Sequence, residues 1–276
     1  MAQKLLHQEL IATLYGLYSS GEGMAVSSIV ALLADLGIAG GAARSSISRL
    51  KAKGVLDRSS HDGETRYAMS PSALDVFHAD DQRIFAPVRS GADDPWALVV
   101  FSVPEAERKR RYDLRRELES LGFGFVASGV AIAPEPVLDQ ALVRLEQRGL
   151  QQYVEHFVAR YGRTDELRTR IRGWWDLGDL DTRYSDFIDD YADSVDDWRL
   201  RLGGATTAEA DRAAFAHYVP LLTRWRRFPY RDPNIPLELL PEGWRAPQAK
   251  KIFLELHAML RTPSRRHASS VLGAVR

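Results

Sequence analysis

Apolar residues recur at three- and four-residue spacings in three successive segments near the start of the chain. This spacing predicts amphipathic helices over 5–18, 29–37 and 41–53. The third segment is followed by Gly54, and glycine is the residue type most often found just past a helix C-terminus. Three short helices therefore open the chain.

Two extended runs follow, on either side of Asp62-Gly63. A two-residue Asp-Gly connection between such runs is a strong hairpin signal. Three helices and a hairpin in about 70 residues are the order of a winged helix-turn-helix. The sequence predicts such a DNA-binding domain over 1–88.

The segment RSGADDP, at 89–95, is rich in helix breakers and predicts a domain boundary. Beyond it come the strand ALVVFSV, a charged helix over 105–121 and two strands around Gly129. A helix near 136–148 and a strand in QYVEHFVA complete the order β-α-β-β-α-β. We therefore predict a ferredoxin-like central domain over 95–162.

The remaining chain has helical periodicity, interrupted by the proline-rich segment FPYRDPNIPLELLPEGW. It predicts a helical C-terminal domain over 164–264. The polar segment 265–276 is expected to be a flexible tail. The predicted fold class is α+β, with several domains.

Composition narrows the functional classes. Apolar residues make up 45% and charged residues 27% of the 276, with 37 basic and 37 acidic side chains and no cysteine. Disulfides, thiolate nucleophiles and cysteine-ligated zinc are excluded, and a polyanion would have to be bound by a local basic patch. Neither a secretory signal nor a membrane-spanning run is recognisable, so we expect a cytoplasmic protein that does not interact with membranes.

The third helix and the hairpin form such a basic patch. Between 41 and 58 five basic side chains accompany one acidic residue, Asp57, and small residues at the helix start allow close approach to DNA. Serine and arginine bind both phosphates and base edges. The predicted groove contacts are Arg44, Ser45, Ser48, Arg49 and Lys51, and the predicted phosphate contacts are Lys53, Arg58 and Arg66. The alternative is an ordinary solvated helix.

Two further clusters combine arginine with a possible anion-binding role. The run ERKRRYDLRRE, at 107–117, would suit coenzyme A or DNA phosphates, although its acidic neighbours favour a solvated helix face. In WRRFPYRDP, the residues Trp225, Arg226, Arg227 and Arg231 would receive an aryl thioester. Alternatively, Arg231 and Asp232 would lock the proline-rich loop against the last helix.

Catalytic and metal-binding patterns are not recognisable. The seven histidines lack metal-ligand spacing, and no nucleophile elbow, Walker loop or dinucleotide-binding motif occurs. The acidic run at 181–197 lacks the loop glycine of a calcium site and has helical periodicity. Trp174 and Trp175 are interpreted as core residues in preference to ligand-stacking ones. We expect neither enzymatic activity nor a cofactor.

Several of these segments together resemble the PaaX family, repressors of phenylacetic-acid degradation. The resemblance rests on ATLYGLY, LLADLGIAGGAARSSISRLKAKGVL, TRYAMS, QRIF, FSVPEAERKRRYDLRRELESLGFGFVASGVAIAP, WWDL, RRFPYRDPNIPLELLPEGW and AKKIFLELH. It covers nearly the whole chain. It implies a three-part homodimeric repressor of aromatic catabolism that binds double-stranded operator DNA. Its implied effector is an aryl-coenzyme A thioester such as phenylacetyl-coenzyme A.

The chain departs from that pattern at one place. Relatives often carry a His-Glu pair before the WRRFP segment, whereas this sequence has Thr223 and Arg224. If this region shapes the effector site, the ligand differs from phenylacetyl-coenzyme A.

A function of another class stays open: a small-molecule-binding or metal-dependent nucleic-acid-processing protein that uses the ferredoxin-like domain. The central domain resembles small CRISPR-associated nucleases, which hold metal with an acidic residue at the end of the first strand. Here that strand ends in Ser102-Val103-Pro104, which argues against nuclease chemistry.

Overall fold

The computed structural model describes residues 6–19, 23–61, 64–85, 89–162, 164–204, 207–228 and 231–273. The helices are α1 (His7–Tyr18), α2 (Val26–Asp35), α3 (Gly40–Ala52), α4 (Pro71–Phe85), α5 (Arg108–Ser120), α6 (Leu138–Gln147), α7 (Thr164–Trp174), α8 (Leu177–Leu202), α9 (Ala208–Trp225) and α10 (Ala246–Gly273). The strands are β1 (Met24–Ala25), β2 (Leu56–His61), β3 (Glu64–Met69), β4 (Trp96–Phe101), β5 (Gly124–Ala127), β6 (Val130–Pro134) and β7 (Val154–Ala159). The predicted α+β class is confirmed.

The chain divides into two compact units. The first combines residues 1–82 with 186–226 and 248–276, and the second combines 83–185 with 227–247. The helices predicted as one C-terminal domain are therefore shared between the units. The boundaries 1–88, 95–162 and 164–264 stay a prediction about separately folding domains.

The core of the first unit joins distant parts of the chain. Ile11 and Leu14 of α1 share one apolar cluster with Phe215 and Val219 of α9 and Ala268 of α10, and all five are buried. Burial of this apolar surface stabilises α1 against α9.

This unit also contains a small antiparallel sheet in the order β1-β3-β2. The pair β2–β3 is in register from Leu56↔Met69 to His61↔Glu64. This leaves the two residues of the predicted hairpin turn, Asp62 and Gly63, which lie outside the described residues. The strand β1 was not predicted, because two residues are too few to show an alternating pattern.

The second unit contains a four-stranded antiparallel sheet in the order β5-β6-β4-β7. The helices α5 and α6 contribute Leu114, Leu118 and Leu145 to the apolar cluster on one face. A second cluster joins Trp96 and Ile132 of the sheet to α7 and to the proline-rich segment.

The tail prediction needs correction. Residues 265–273, whose polar composition suggests flexibility, continue α10 as far as Gly273. The reason is tertiary: Ala268 is fully buried, and Arg266 donates two hydrogen bonds, of 2.8 and 2.6 Å, to the carboxylate of Asp211.

Candidate nucleic-acid interface and ligand-binding residues

The helix α3 separates a buried stripe from an exposed polar face. Ala43, Ser46, Ile47 and Leu50 are buried, as helical spacing requires. The side chains predicted for groove contacts are all exposed: Arg44, Ser45, Ser48, Arg49 and Lys51. The fold thus places the five predicted residues on the solvent side of one helix.

The C-terminal end of α3 is closed by Gly54. This residue has φ +69°, a left-handed conformation that glycine adopts without steric cost. The amide of Val55 donates to the carbonyl of Leu50 at 3.0 Å, and the amide of Gly54 donates to that of Lys51 at 2.9 Å. This pair of bonds is a Schellman motif, which turns the chain directly into β2.

The basic side chains of this region differ in how they are held. Arg49 donates to Oγ of the buried Ser46 at 3.0 Å, and Lys53 donates to Oε1 of Gln8 at 3.0 Å. Arg44 and Lys51 form no ion pair within the described part of the chain. All four charges remain exposed for contact with an anion.

The two hairpin arginines point in different directions. Arg58 is paired with Tyr67, and Arg66 is paired with Ser59. Because directly paired residues share a face and neighbours along a strand alternate, Arg58 and Arg66 lie on opposite faces. Arg58 is exposed and donates to Oγ1 of Thr65 at 3.1 Å, whereas Arg66 is half-buried.

The four residues predicted to receive an aryl thioester do not share one unit. Trp225 is buried in the first unit and stacks on Phe253, with ring centroids 4.5 Å apart. Arg226, also in the first unit, places its guanidinium 3.7 Å from the ring centroid of Phe77. Both side chains are therefore packed against aromatic rings.

The other two members belong to the second unit. Arg227 is half-buried, and Arg231 is exposed and lies 3.7 Å from the carboxylate of Asp179 in α8. Neither unit by itself assembles the four side chains into one site, because the chain passes between units at 226–227. Their role in ligand binding stays a prediction.

The buried Asp232 holds the proline-rich segment in the second unit. It accepts hydrogen bonds from Arg89 at 3.1 Å, from the hydroxyl of Tyr184 at 2.7 Å and from the amide of Asn234 at 2.8 Å. Burial and the adjacent carboxylate raise the pKa of Tyr184 well above its usual value. Asp232 therefore holds the proline-rich segment through Arg89 and Tyr184 of α8, and Arg231 contacts Asp179 of α8. The sequence predicted that these two residues hold the segment against the last helix instead.

Thr223 and Arg224, where the sequence departs from the family pattern, are buried in the first unit. The hydroxyl of Thr223 lies 2.7 Å from the carbonyl oxygen of Val219 and 2.8 Å from Oγ1 of Thr13. Arg224 forms an ion pair with Asp190. These contacts explain the two residues by packing.

The charged helix α5 is partly tied to its own domain. Arg111 donates to the carbonyl of Val103 at 2.9 Å and to Glu105 at 3.1 Å, and Arg115 lies over the ring of Phe125 at 3.8 Å. These contacts favour the solvated-face interpretation.

A cavity of about 890 Å³ lies within the second unit. It is formed by two segments, 172–178 with Asp181 and 241–245, which are distant in sequence. Trp174, Trp175 and Trp244 line it. The sequence predicts core positions for the first two and assigns no role to Trp244. Tryptophans next to glycines in both segments are the sequence feature that could have indicated a cavity. Neither segment, however, contains a local signal that it contacts the other.

Groups of three or more side chains suited to a metal ion are absent from the described residues. None of the helices in the described part of the chain has the length and apolar character of a membrane span.

Comparison with known families follows the order of the chain. The family model described as "PaaX-like protein" matches residues 7–73, "PaaX protein central Cas2-like domain" matches 89–171, and "PaaX-like protein C-terminal domain" matches 175–270. The chain belongs to the PaaX family. The three matches run in the expected order, and the middle one identifies the β4–β7 sheet with its helices as the Cas2-like domain of PaaX proteins.

Two relatives extend this result. The chain is 26% identical over 253 residues to the transcriptional repressor PaaX of Escherichia coli (strain K12), across 90% of this chain and 78% of the relative. The solved structure of the uncharacterized protein Rv0674 from Mycobacterium tuberculosis covers 95% of this chain and is itself covered to 96%, with a TM-score of 0.59 and 21% identity. The latter likeness shows that the two chains share a fold.

Proposed function

We propose that this PaaX family protein is a DNA-binding transcriptional repressor and not an enzyme. In this proposal α2, α3 and the β2–β3 hairpin act as a winged helix-turn-helix, and β4–β7 with α5 and α6 form a ferredoxin-like domain. The proposed location is the cytoplasm, where the operator would be reached. The protein would bind as a homodimer, because helix-turn-helix proteins commonly read two half-sites.

The exposed face of α3 is the observation that carries the proposal. Its buried stripe holds the helix to the unit, while Arg44, Ser45, Ser48, Arg49 and Lys51 are exposed and can face a groove. Arginine and serine at helical spacing supply donors for base edges, and Lys53 and Arg58 at its end supply charges for phosphates. The name of the Escherichia coli relative supports the same role.

The proposed effector is an aryl-coenzyme A thioester such as phenylacetyl-coenzyme A. Release from DNA requires that the effector bind the DNA-incompetent state more tightly than the competent state. Repression of an aromatic-acid catabolic operon would then end when the thioester accumulates.

The proposal is tested by fluorescence anisotropy with the purified full chain and DNA from upstream of its own operon. We expect specific binding whose affinity falls steeply with salt, because phosphate neutralisation releases counterions. Phenylacetyl-coenzyme A is expected to release the DNA, and phenylacetate serves as the comparison. Absence of duplex binding, or metal-dependent cleavage of the probe, contradicts the proposal.

A further inference from the structure

The tryptophan-lined cavity of the second unit has the dimensions of a ligand site. Its volume of about 890 Å³ lies within the range of about 300–1,000 Å³ typical of small-molecule pockets. The indoles are fixed by their surroundings: Nε1 of Trp175 donates to the carbonyl of Gly122 at 2.9 Å, and Trp244 packs edge-on against Tyr184. A preformed aromatic wall binds a flat ring at little entropic cost.

Several charged groups that line the cavity already form ion pairs or hydrogen bonds within the protein. Arg245 forms an ion pair with Asp181. Oδ1 of Asp176 accepts a hydrogen bond from the amide of Asp179 at 3.1 Å and so caps the start of α8. These groups are consequently less available to a ligand.

Arg172 is the cavity-lining cation left for a ligand. It is exposed and forms no ion pair within the described part of the chain. Gly178, at the N-terminal end of α8, also lines the cavity, and backbone N–H groups at a helix start favour an acceptor or an anion. A cavity lined by aromatic rings and one guanidinium group without an ion pair suits an aromatic ligand that carries a single carbonyl or carboxylate group.

The acidic lining limits how much negative charge the ligand can bring inside. Asp176, Asp181 and Glu242 line the cavity beside Arg172 and Arg245, so carboxylates outnumber guanidinium groups. A chain of phosphates would be repelled here. The phosphates of any thioester would therefore lie outside the cavity.

We propose that this cavity binds the aromatic ring and the adjoining carbonyl or carboxylate group of an aryl-acyl ligand. The ring packs against Trp174, Trp175 and Trp244, and Arg172 contacts the carbonyl or carboxylate oxygen. This assignment differs from the predicted segment at 225–231. That the bound ligand releases DNA rests on the proposed function, whereas binding itself does not.

The occlusion variant Gly173→Leu tests the site. Gly173 lines the cavity inside α7, and a Cβ there would meet no heavy atom within 4 Å, so we expect a leucine to fit and to fill part of the cavity. The matched control is Gly162→Leu, because Gly162 also has open space around its Cβ but does not line the cavity. A second variant, Arg172→Gln, removes the exposed charge without a packing change, and Arg170→Gln on the same helix is its control.

The measurement is isothermal titration calorimetry of the full chain with phenylacetate, phenylacetyl-coenzyme A and coenzyme A alone. We expect phenylacetate, phenylacetyl-coenzyme A or both to bind. The one that binds more tightly shows whether the site takes the free acid or the thioester. Gly173→Leu is expected to weaken that binding at least tenfold and Arg172→Gln about tenfold, since a charge-assisted hydrogen bond is lost. Both controls should bind as the unsubstituted protein does.

Three outcomes overturn the proposal: no binding of either aromatic ligand, equal affinity in Gly173→Leu and the unsubstituted protein, or coenzyme A alone binding as well as the thioester. DNA binding of the same variants is measured without ligand. If the unsubstituted protein fails to bind DNA, the repressor proposal fails while calorimetry still decides the cavity. If DNA binds but the occlusion variant retains the ligand, only the cavity proposal fails.

Discussion

The carboxylate of Asp35, at the C-terminal end of α2, lies 2.7 Å from Nε2 of His267 in α10. Both side chains are nearly buried, with exposed fractions of 13% and 12%. The same carboxylate accepts a hydrogen bond from Arg212 of α9 at 2.8 Å. The proposed DNA-binding helices are thus bonded to the C-terminal helices within the first unit.

This relationship predicts energetic coupling between Asp35 and His267. In a double-mutant cycle with Asp35→Asn and His267→Ala, we expect a coupling energy of about 0.5–2 kcal/mol, because the two groups share a sheltered hydrogen bond. Urea unfolding followed by circular dichroism measures the four free energies. Strictly additive losses would contradict a direct interaction.

The basic residues of α3 and of the hairpin predict different effects of two arginine substitutions on DNA binding. Arg49→Ala should cost about 1–3 kcal/mol and relax sequence preference, because Arg49 is assigned to base edges. Arg58→Ala should weaken binding to all sequences similarly and flatten the salt dependence. Anisotropy titrations on operator and scrambled duplexes at several salt concentrations measure both. Equal losses of selectivity would contradict the division of roles.

Arg66→Ala provides a further comparison on the hairpin. The sequence assigns Arg66 to phosphate contact, but its side chain is half-buried on the other face of β3. If it reaches the backbone of DNA, its loss should resemble that of Arg58. A stability loss with unchanged affinity would instead assign Arg66 to the fold.

Burial of His217 predicts a pH-dependent stability. Desolvation, with a smaller contribution from Arg201, lowers the pKa of His217 below its usual value of 6.5. As the pH is lowered through 6.5, the unfolded state binds a proton at His217 that the folded state does not yet bind. The free energy of unfolding therefore decreases as the pH is lowered. His217→Phe should reduce the difference between unfolding measured at pH 7.5 and at pH 5.5. Parallel pH curves for the two proteins would be inconsistent with this assignment.

The buried Asp232 predicts a large loss of stability on truncation. Asp232→Ala removes the acceptor of the Tyr184 hydroxyl and of one nitrogen of the Arg89 guanidinium, and we expect a cost of about 2–3 kcal/mol. Asp179→Ala is the control, because Asp179 is half-exposed and its ion pair with Arg183 is worth about 1 kcal/mol or less. Chemical denaturation measures the free energy of unfolding of both variants. Similar losses in the two variants would contradict the prediction.

The close approach of Gly124 to the indoles predicts a steric effect. An added Cβ would lie 2.6 Å from Cε2 of Trp175 and 2.7 Å from the carbonyl oxygen of Trp174. We expect Gly124→Ala to destabilise the second unit by about 1–3 kcal/mol. Gly173→Ala, which meets open space inside α7, should be neutral or slightly stabilising. Thermal unfolding compares the two, and unchanged stability of Gly124→Ala would show that the tryptophans move aside freely.

The sequence alone determined the local elements of this protein. Helical periodicity predicted α3 with its buried Ala43, Ile47 and Leu50, and Gly54 predicted where the helix ends. The two extended runs on either side of Asp62-Gly63 predicted the two paired strands. These features depend on neighbouring residues, so their signals are present in any short window of the sequence. The exposed basic face follows directly, because residues opposite a buried stripe face solvent.

Tertiary structure decided what local periodicity does not encode. Polar residues after 264 stay helical because Asp35 and Asp211 bond to them from distant helices. The cavity forms only where 172–178 and 241–245 meet, and Trp225 is removed from the predicted ligand cluster by stacking on Phe253. Contacts between segments far apart in the chain depend on how whole faces of helices and sheets pack. A short stretch of sequence does not show which distant segment it will contact.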